Sequence, residues 1–243
     1  MDKKWYILYR WVSKYGWWHV ARRHILKKLI SKYVKNSSGY ILDVGCADGE
    51  SDKELLTESS HIPVGIDISI HCLNFLKQEK FLVAGMSATH LGFKNDIFIS
   101  IIASDVLEHI ENQTSAIAEF RRVLKKDGII ICFVPASNSL WSPHDVIVKH
   151  YRRYTEKELV SLFQNNGFKI LLSGYWNFIL FFPYILLTKI LRITHRDNDS
   201  IVSISNKLTN TILKYILYLE NMLILHNIHL PVGISCFIVA KKV

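Results

Sequence analysis

The chain is poor in the residues that build special sites: among 243 positions there are four cysteines, five prolines and three methionines. Cys46, Cys72, Cys132 and Cys236 have no zinc-ligand spacing and read as free thiols of a reducing compartment. There is no G-x-x-x-x-G-K-[ST] run, which excludes a P-loop. Internal repeats and low-complexity linkers are also missing, so a single domain over residues 1–243 is expected. No apolar run reaches the roughly 20 residues that span a bilayer, because Pro183 breaks 178–188 and Lys214 and Glu220 interrupt 212–225. Acidic residues are almost absent from the start. Residues 1–35 carry ten Lys and Arg against Asp2 alone, while the rest of the chain balances 20 against 20. Basic residues cut every stretch that could form a signal-peptide core, so the expected location is cytoplasmic.

What is present is a folded composition, 49% hydrophobic and 21% charged, far from that of disorder. Apolar runs (YILDVG, PVGID, FLVAG, IFISIIAS, GIIICFVPA) alternate with helical patterns at 50–59, 69–79 and 112–126. Short runs that are apolar on both faces predict a mostly parallel sheet covered by helices on both sides, an α/β, Rossmann-like architecture. Asn112 or Thr114 can cap the third of those helices, with Lys125 and Lys126 at its C-terminal end. Thr155, Glu156 and Glu158 open another that Asn166-Gly167 closes. FKILLSGYW and GISCFIVAKKV bring the strands to seven. The expected layout is an N-terminal helical cap (1–38), a core (39–176), a helical insertion (177–231) and a final strand (232–243).

Two readings of the N-terminal arm stay open together. Ala21, Ile25, Leu26, Leu29, Ile30 and Tyr33 share one helical face, and Arg23, Lys27, Lys28 and Lys32 lie opposite. This suits a helix capping the fold with a solvated basic face. Because four of six tryptophans fall in the first 18 residues, it also suits an anchor on anionic lipid at the inner membrane face.

ILDVGCADGE at 41–50 places Asp43 at a strand end, Gly45 and Gly49 in a turn, and a helix behind them. Glycine permits close backbone approach to a ligand, and the helix start offers free N–H donors. About 20 residues on, Asp67 and Ile68 end the next strand, where a carboxylate can accept both hydroxyls of a ribose. Together the two features point to an adenosine-containing ligand.

These blocks resemble the class I S-adenosylmethionine-dependent methyltransferases of the small-molecule type. The resemblance rests on ILDVGCADGE, GIDIS, ASDVLEHI and EFRRVLKKDGIIICFVPA in order over 40–135. WWHVARRHI, PHDVIVKHYRRYTEKEL and PVGISCFIVAKK resemble a subgroup associated with glycan or lipid-linked saccharide pathways. The resemblance implies S-adenosyl-L-methionine as cofactor, with Asp43 and Gly45 at its methionine end and Asp67 on its ribose. It also implies Ser87-Ala88 facing adenine and the carbonyls around Ala103-Ser104 facing the sulfonium. Ala47 stands where a second glycine is usual and Ser87 where an acid is common, and the expected consequence is reduced cofactor affinity at worst.

Methyl transfer needs an in-line acceptor, shielding from water and, for a hydroxyl acceptor, a base. His109 after the fourth strand and the neighbours His144-Asp145 after the fifth are the candidates, with His150 an equal alternative. Arg152 and Arg153, flanked by His150, Tyr151 and Tyr154, suit an anionic acceptor such as a lipid phosphate. Trp17 and Trp18 either line the site or pack on the sheet. The expected acceptor is a small molecule, a glycan or a lipid-linked compound. Two competing readings remain: a degenerate methyltransferase fold that binds a partner or membrane, and a nucleic-acid methyltransferase. The second is disfavoured because ASDVLEHI replaces the N-P-P-Y-like sequence that grips a flipped base, and Cys132 is followed by Phe133 rather than preceded by proline.

Overall fold

A computed structural model describes residues 10–34, 38–51, 53, 61–186 and 206–243. Its strands are β1 Gly39–Val44, β2 His61–Asp67, β3 Leu82–Gly85, β4 Phe98–Ser104, β5 Leu124–Pro135, β6 Phe168–Trp176 and β7 Ser235–Lys242. They form one seven-stranded sheet in the order β3-β2-β1-β4-β5-β7-β6. β1 to β5 pair in parallel, and β7 runs antiparallel between β5 and β6. The strand order reverses between β1 and β4. This opens a crevice at their carboxyl ends, where sheets of this kind bind ligands.

Residues alternate between two cores. Ile101 and Ile130 pack with Phe120 and Phe163 on one face, while Ile102 and Ile131 pack with Ile25 and Leu29 on the other. Burial of both faces explains why the strands read as unbroken apolar runs.

The helices are α1 Trp17–Tyr33, α2 Ile70–Gln78, α3 Gln113–Val123, α4 Pro143–Ile147, α5 Glu156–Asn165 and α6 Lys207–Leu225. α3 is capped by Asn112, whose side chain accepts from the Ser115 N–H at 3.1 Å. It ends at Val123 rather than 126, because Leu124 already pairs with Phe98. Pairing then resumes at Ser100 and Ile129, so Lys125–Asp127 form an exposed excursion instead of a last helical turn. α5 has the expected capping box of Thr155 and Glu158. Of the helix expected at 50–59, only 50, 51 and 53 are among the described residues.

α1 buries Ala21, Ile25, Leu26, Leu29 and Ile30 as the pattern predicts, but its basic face departs from expectation. Arg23 is buried and donates to the carbonyls of Ser13 and Lys14. Lys32 Nζ donates to the Leu225 carbonyl at 2.7 Å and to Asn227 Oδ1 at 2.9 Å. Part of the positive charge thus caps carbonyls within the fold. Residues 1–9, the start of the expected lipid anchor, lie outside the described residues.

In the insertion range, 181–186 is helical and α6 follows, while 187–205 lies outside the described residues. α6 follows simple hydrophobicity only in part. Leu217 and Ile224 are buried, but so are Glu220 and Asn221, whereas Leu208, Ile212, Tyr215, Leu219 and Met222 are exposed. Glu220 accepts from the backbone N–H groups of Asn177, Phe178 and Ile179. Asn221 accepts from Trp176 Nε1 at 2.7 Å and donates to the Ala21 carbonyl at 2.9 Å. α6 therefore locks α1 to the end of β6 through polar groups. Among the described residues, no helix is long and apolar enough to cross a membrane.

Candidate active site

The cofactor side of the crevice is built from backbone. After Asp43, buried at the end of β1, the chain turns through Gly45 at φ 73° and Gly49 at φ 70°. A Cβ at Gly45 would lie 2.6 Å from Val106 Cγ2 and one at Gly49 2.5 Å from Leu76 Cδ2, so both positions exclude a side chain. The turn is tied to β2, since the N–H groups of Gly45 and Cys46 both donate to the Ile66 carbonyl, at 2.8 and 3.0 Å. Ala47 takes a left-handed φ of 46° without being glycine. Its N–H donates to Asp67 Oδ2 at 3.1 Å, and the Ser69 N–H donates to Oδ1 at 2.7 Å. Each carboxylate oxygen therefore keeps acceptor capacity for the neighbouring hydroxyls of a sugar. Ile68, beside it, is 81% exposed, an apolar surface without a protein neighbour over most of its area.

Ser87 follows β3, where its hydroxyl pairs with Thr89 Oγ1 at 2.8 Å, and Ala88 packs into the core behind it. The segment at 10–15 leans on the glycine turn, with Ser13 Oγ donating to Asp48 Oδ1 at 3.2 Å. Burial pushes the Asp48 carboxyl up, and the Ser13 hydrogen bond opposes it.

The other side of the crevice is built from side chains. The single helical turn Leu107–His109 follows β4, and its Glu108 carbonyl accepts from the Tyr151 N–H at 2.8 Å. That bond brings the segment after β5 against the segment after β4. At its centre Asp145, fully buried, accepts from Ser142 N and Oγ, from His150 Nδ1 at 2.8 Å and from both Arg153 Nε and Nη2 at 2.8 and 2.9 Å. Burial alone would raise the Asp145 pKa, but the bonds from His150 and Arg153 prevail and hold it well below the usual carboxylate range.

The His–Asp pair is accordingly not the sequence neighbours. Within α4, Asp145 faces inward as the capping residue of the first turn and His144 faces solvent, so its imidazole partner is His150. Arg153 has its fork filled by Asp145 and also donates to the Ala136 carbonyl at 3.2 Å. Tyr154 is buried and donates to the Leu107 carbonyl and Gln113 Oε1. Arg152 donates to the Glu111 carbonyl at 2.8 Å, and Tyr151 is exposed. The His109 and His150 rings meet edge to face, their centroids 4.6 Å apart.

Sequence reasoning missed Arg22. Its buried guanidinium lies between the rings of Trp18, Phe133 and Trp176, at 4.5, 4.1 and 4.3 Å from their centroids. It donates to Ser104 Oγ, Asp105 Oδ2 and Ser235 Oγ, joining α1 to the ends of β4 and β7. Trp18 thus packs on Trp176 within this cage, while the Trp17 N–H donates to Asn210 at the start of α6. An arginine among apolar residues on the buried side of an amphipathic helix was the available signal.

Comparison with known proteins agrees with this layout. A family model described as a methyltransferase domain matches residues 17–173. An uncharacterized protein of Methanocaldococcus jannaschii is 30% identical over 158 residues, which cover 65% of this chain and 65% of that protein. A methyltransferase from Archaeoglobus fulgidus, described as SAM-dependent, superposes with a TM-score of 0.60 at 17% identity, covering 96% of this chain and 99% of its own. Phosphoethanolamine N-methyltransferase 2 of Haemonchus contortus, solved with phosphomonomethylethanolamine and S-adenosylhomocysteine, gives 0.64 at 17% identity, covering 100% of this chain and 58% of its own. With the family model spanning most of the chain and both structures sharing its fold, the protein belongs to the methyltransferase-domain family.

Proposed function

We propose that the chain transfers a methyl group from S-adenosyl-L-methionine to an oxygen or nitrogen of a small-molecule, glycan or lipid-linked acceptor. The observation that carries this reading is Asp67. Its carboxylate stands at the carboxyl end of β2, held from behind by two backbone N–H groups, 20 residues beyond a turn that excludes side chains at two positions. In this reading Asp67 accepts the ribose hydroxyls, Ile68 covers the adenine, and Ser87 and Ala88 meet its edge. Asp43, Gly45, Ala47, Gly49 and Ser104 border the methionine end. The cofactor supplies a methyl group already made electrophilic by its sulfonium, so the chain's own task is positioning and proton removal.

His150 takes the role of base in place of His144, because Asp145 accepts its Nδ1–H and so fixes which nitrogen remains for the acceptor. His109 supplies the second imidazole of that wall. Tyr151 and Arg152 contact the acceptor, whereas Arg153 and Tyr154 hold the loop that presents them. The exposed apolar stripe of α6 supports a lipid-linked acceptor reached at a membrane surface over a freely diffusing one.

Calorimetric titration with S-adenosylmethionine and S-adenosylhomocysteine tests the reading. Micromolar binding, about −8 kcal/mol, that Asp67→Ala abolishes is the expected result. No binding by the folded wild-type protein would sink it and favour a degenerate, non-catalytic fold.

A further inference from the structure

Among the described residues, Glu108, 1% exposed, is the buried carboxyl with both oxygens unpartnered. A buried carboxyl left this way costs several kcal/mol unless something else satisfies it. Around it the structure gathers ligands of a particular kind. One ligand atom from each of Glu108, His109 and His150 can be chosen so that no spacing exceeds 4.8 Å. We infer that Glu108, His109 and His150 form a binding site for a transition-metal dication at the acceptor end of the crevice.

Three features favour an ion over a proton as the missing partner. First, His150 Nε2 lies 3.9 Å from Glu108 Oε1. That gap is too long for a hydrogen bond, yet two metal–ligand bonds of about 2.0–2.2 Å can bridge it. Second, the other nitrogen of His150 donates to the buried Asp145 at 2.8 Å. This is the carboxylate–histidine pairing that fixes the tautomer and orientation of a metal-binding imidazole. Third, the guanidiniums nearest the position are already engaged, Arg22 by Asp105 and Arg153 by Asp145, so no described cation occupies the place beside the Glu108 carboxyl.

Two imidazoles and one carboxylate select a borderline dication such as Zn²⁺, Co²⁺ or Fe²⁺ over Mg²⁺, and they leave coordination positions open. That an acceptor oxygen occupies an open position rests on the methyltransferase reading, whereas the ion site itself does not. When loaded, the ion would take the Nε2 that otherwise accepts the proton, and by lowering the pKa of the bound hydroxyl it would let that proton pass to solvent water before methyl transfer.

The test uses the full chain, stripped with chelator and dialysed, then titrated separately with Zn²⁺, Co²⁺ and Mg²⁺, with S-adenosylmethionine binding measured on the same samples. Expected are one equivalent of Zn²⁺ or Co²⁺, a visible Co²⁺ spectrum of low-symmetry coordination, and at least a tenfold loss of affinity in Glu108→Gln and in His150→Gln. His109→Gln, at an exposed position, serves if either of those variants loses its circular dichroism. Retention of the ion by all three variants, or binding of Mg²⁺ alone, would overturn the assignment. Failure of wild type to bind Zn²⁺ or Co²⁺ while still binding S-adenosylmethionine removes the ion site and leaves the methyltransferase reading standing. Ion binding without cofactor binding does the reverse.

Discussion

Around Asp67 the crevice is lined by main chain: two glycines, a left-handed alanine and N–H groups that all come from within about 20 residues of one another in sequence. Around Asp145 and Arg22 it is lined by side chains. Charges are buried there, and the partners stand as far apart in sequence as Arg22 and Ser235. The first kind of wall depends on backbone conformation, which most single substitutions leave intact. The second is an electrostatic unit in which removing one member strands another in low dielectric. The same fold therefore offers a cofactor side sensitive chiefly at Gly45, Gly49 and Asp67 and an acceptor side sensitive at every buried charge.

The sharpest way to expose that contrast is Asp145→Ala. It leaves Arg153 buried without its carboxylate and is expected to cost about 3–5 kcal/mol in urea unfolding. The pH dependence carries a second signature. The Asp145 carboxyl is held below its ordinary value in the folded state, so its contribution is complete above the unfolded value of about 3.9 and is lost as pH falls below it. Urea midpoints from pH 3 to 7 should show wild type losing stability on the acid side by a component that the variant lacks. Parallel curves would mean that Asp145 is not the ionised hub of this wall.

Arg22→Met ranks next. It preserves apolar packing among Trp18, Phe133 and Trp176 but removes the bonds to Ser104, Asp105 and Ser235. A loss of about 1.5–3 kcal/mol is expected, as for hydrogen bonds to charged groups. Hydrogen exchange should accelerate at 104–109, whereas the glycine turn at 45–49 should be unaffected. Equal acceleration at both would erase the distinction between the two walls.

The same contrast explains what could be read from sequence. The seven strands, the cap at Thr155 and the strand-end positions of Asp43 and Asp67 are consequences of local pattern, and the structure has them where the pattern does, with Asn112 rather than Thr114 as the other cap. The acceptor wall is not local. Adjacency suggested His144 with Asp145, but α4 turns the two in opposite directions, and only the Tyr151 to Glu108 backbone bond brings His150 into place. Arg23 looked like solvent-facing charge, and Arg22 was not singled out, because an amphipathic pattern cannot say which polar residue will find a buried partner. α6 was harder still, since its buried residues include Glu220 and Asn221 beside Leu217 and Ile224, while Leu208 and Leu219 face out.

Ala47 supplies the smallest effect and the finest test of the backbone wall. Its left-handed φ costs an L-residue roughly 1–2 kcal/mol, and Ala47→Gly would relieve this while giving back about 0.4–1 kcal/mol through the freer unfolded chain. A net gain between about 0 and 1.6 kcal/mol is expected in thermal unfolding. The sequence alone suggested that alanine here weakens cofactor binding. In the structure the contact to Asp67 is made by the Ala47 N–H, which glycine would keep. Affinity for S-adenosylhomocysteine should then change by less than about threefold, or about 0.7 kcal/mol. A gain above tenfold would show that the methyl group obstructs the ligand, and that on this side of the crevice, too, a side chain sets the limit.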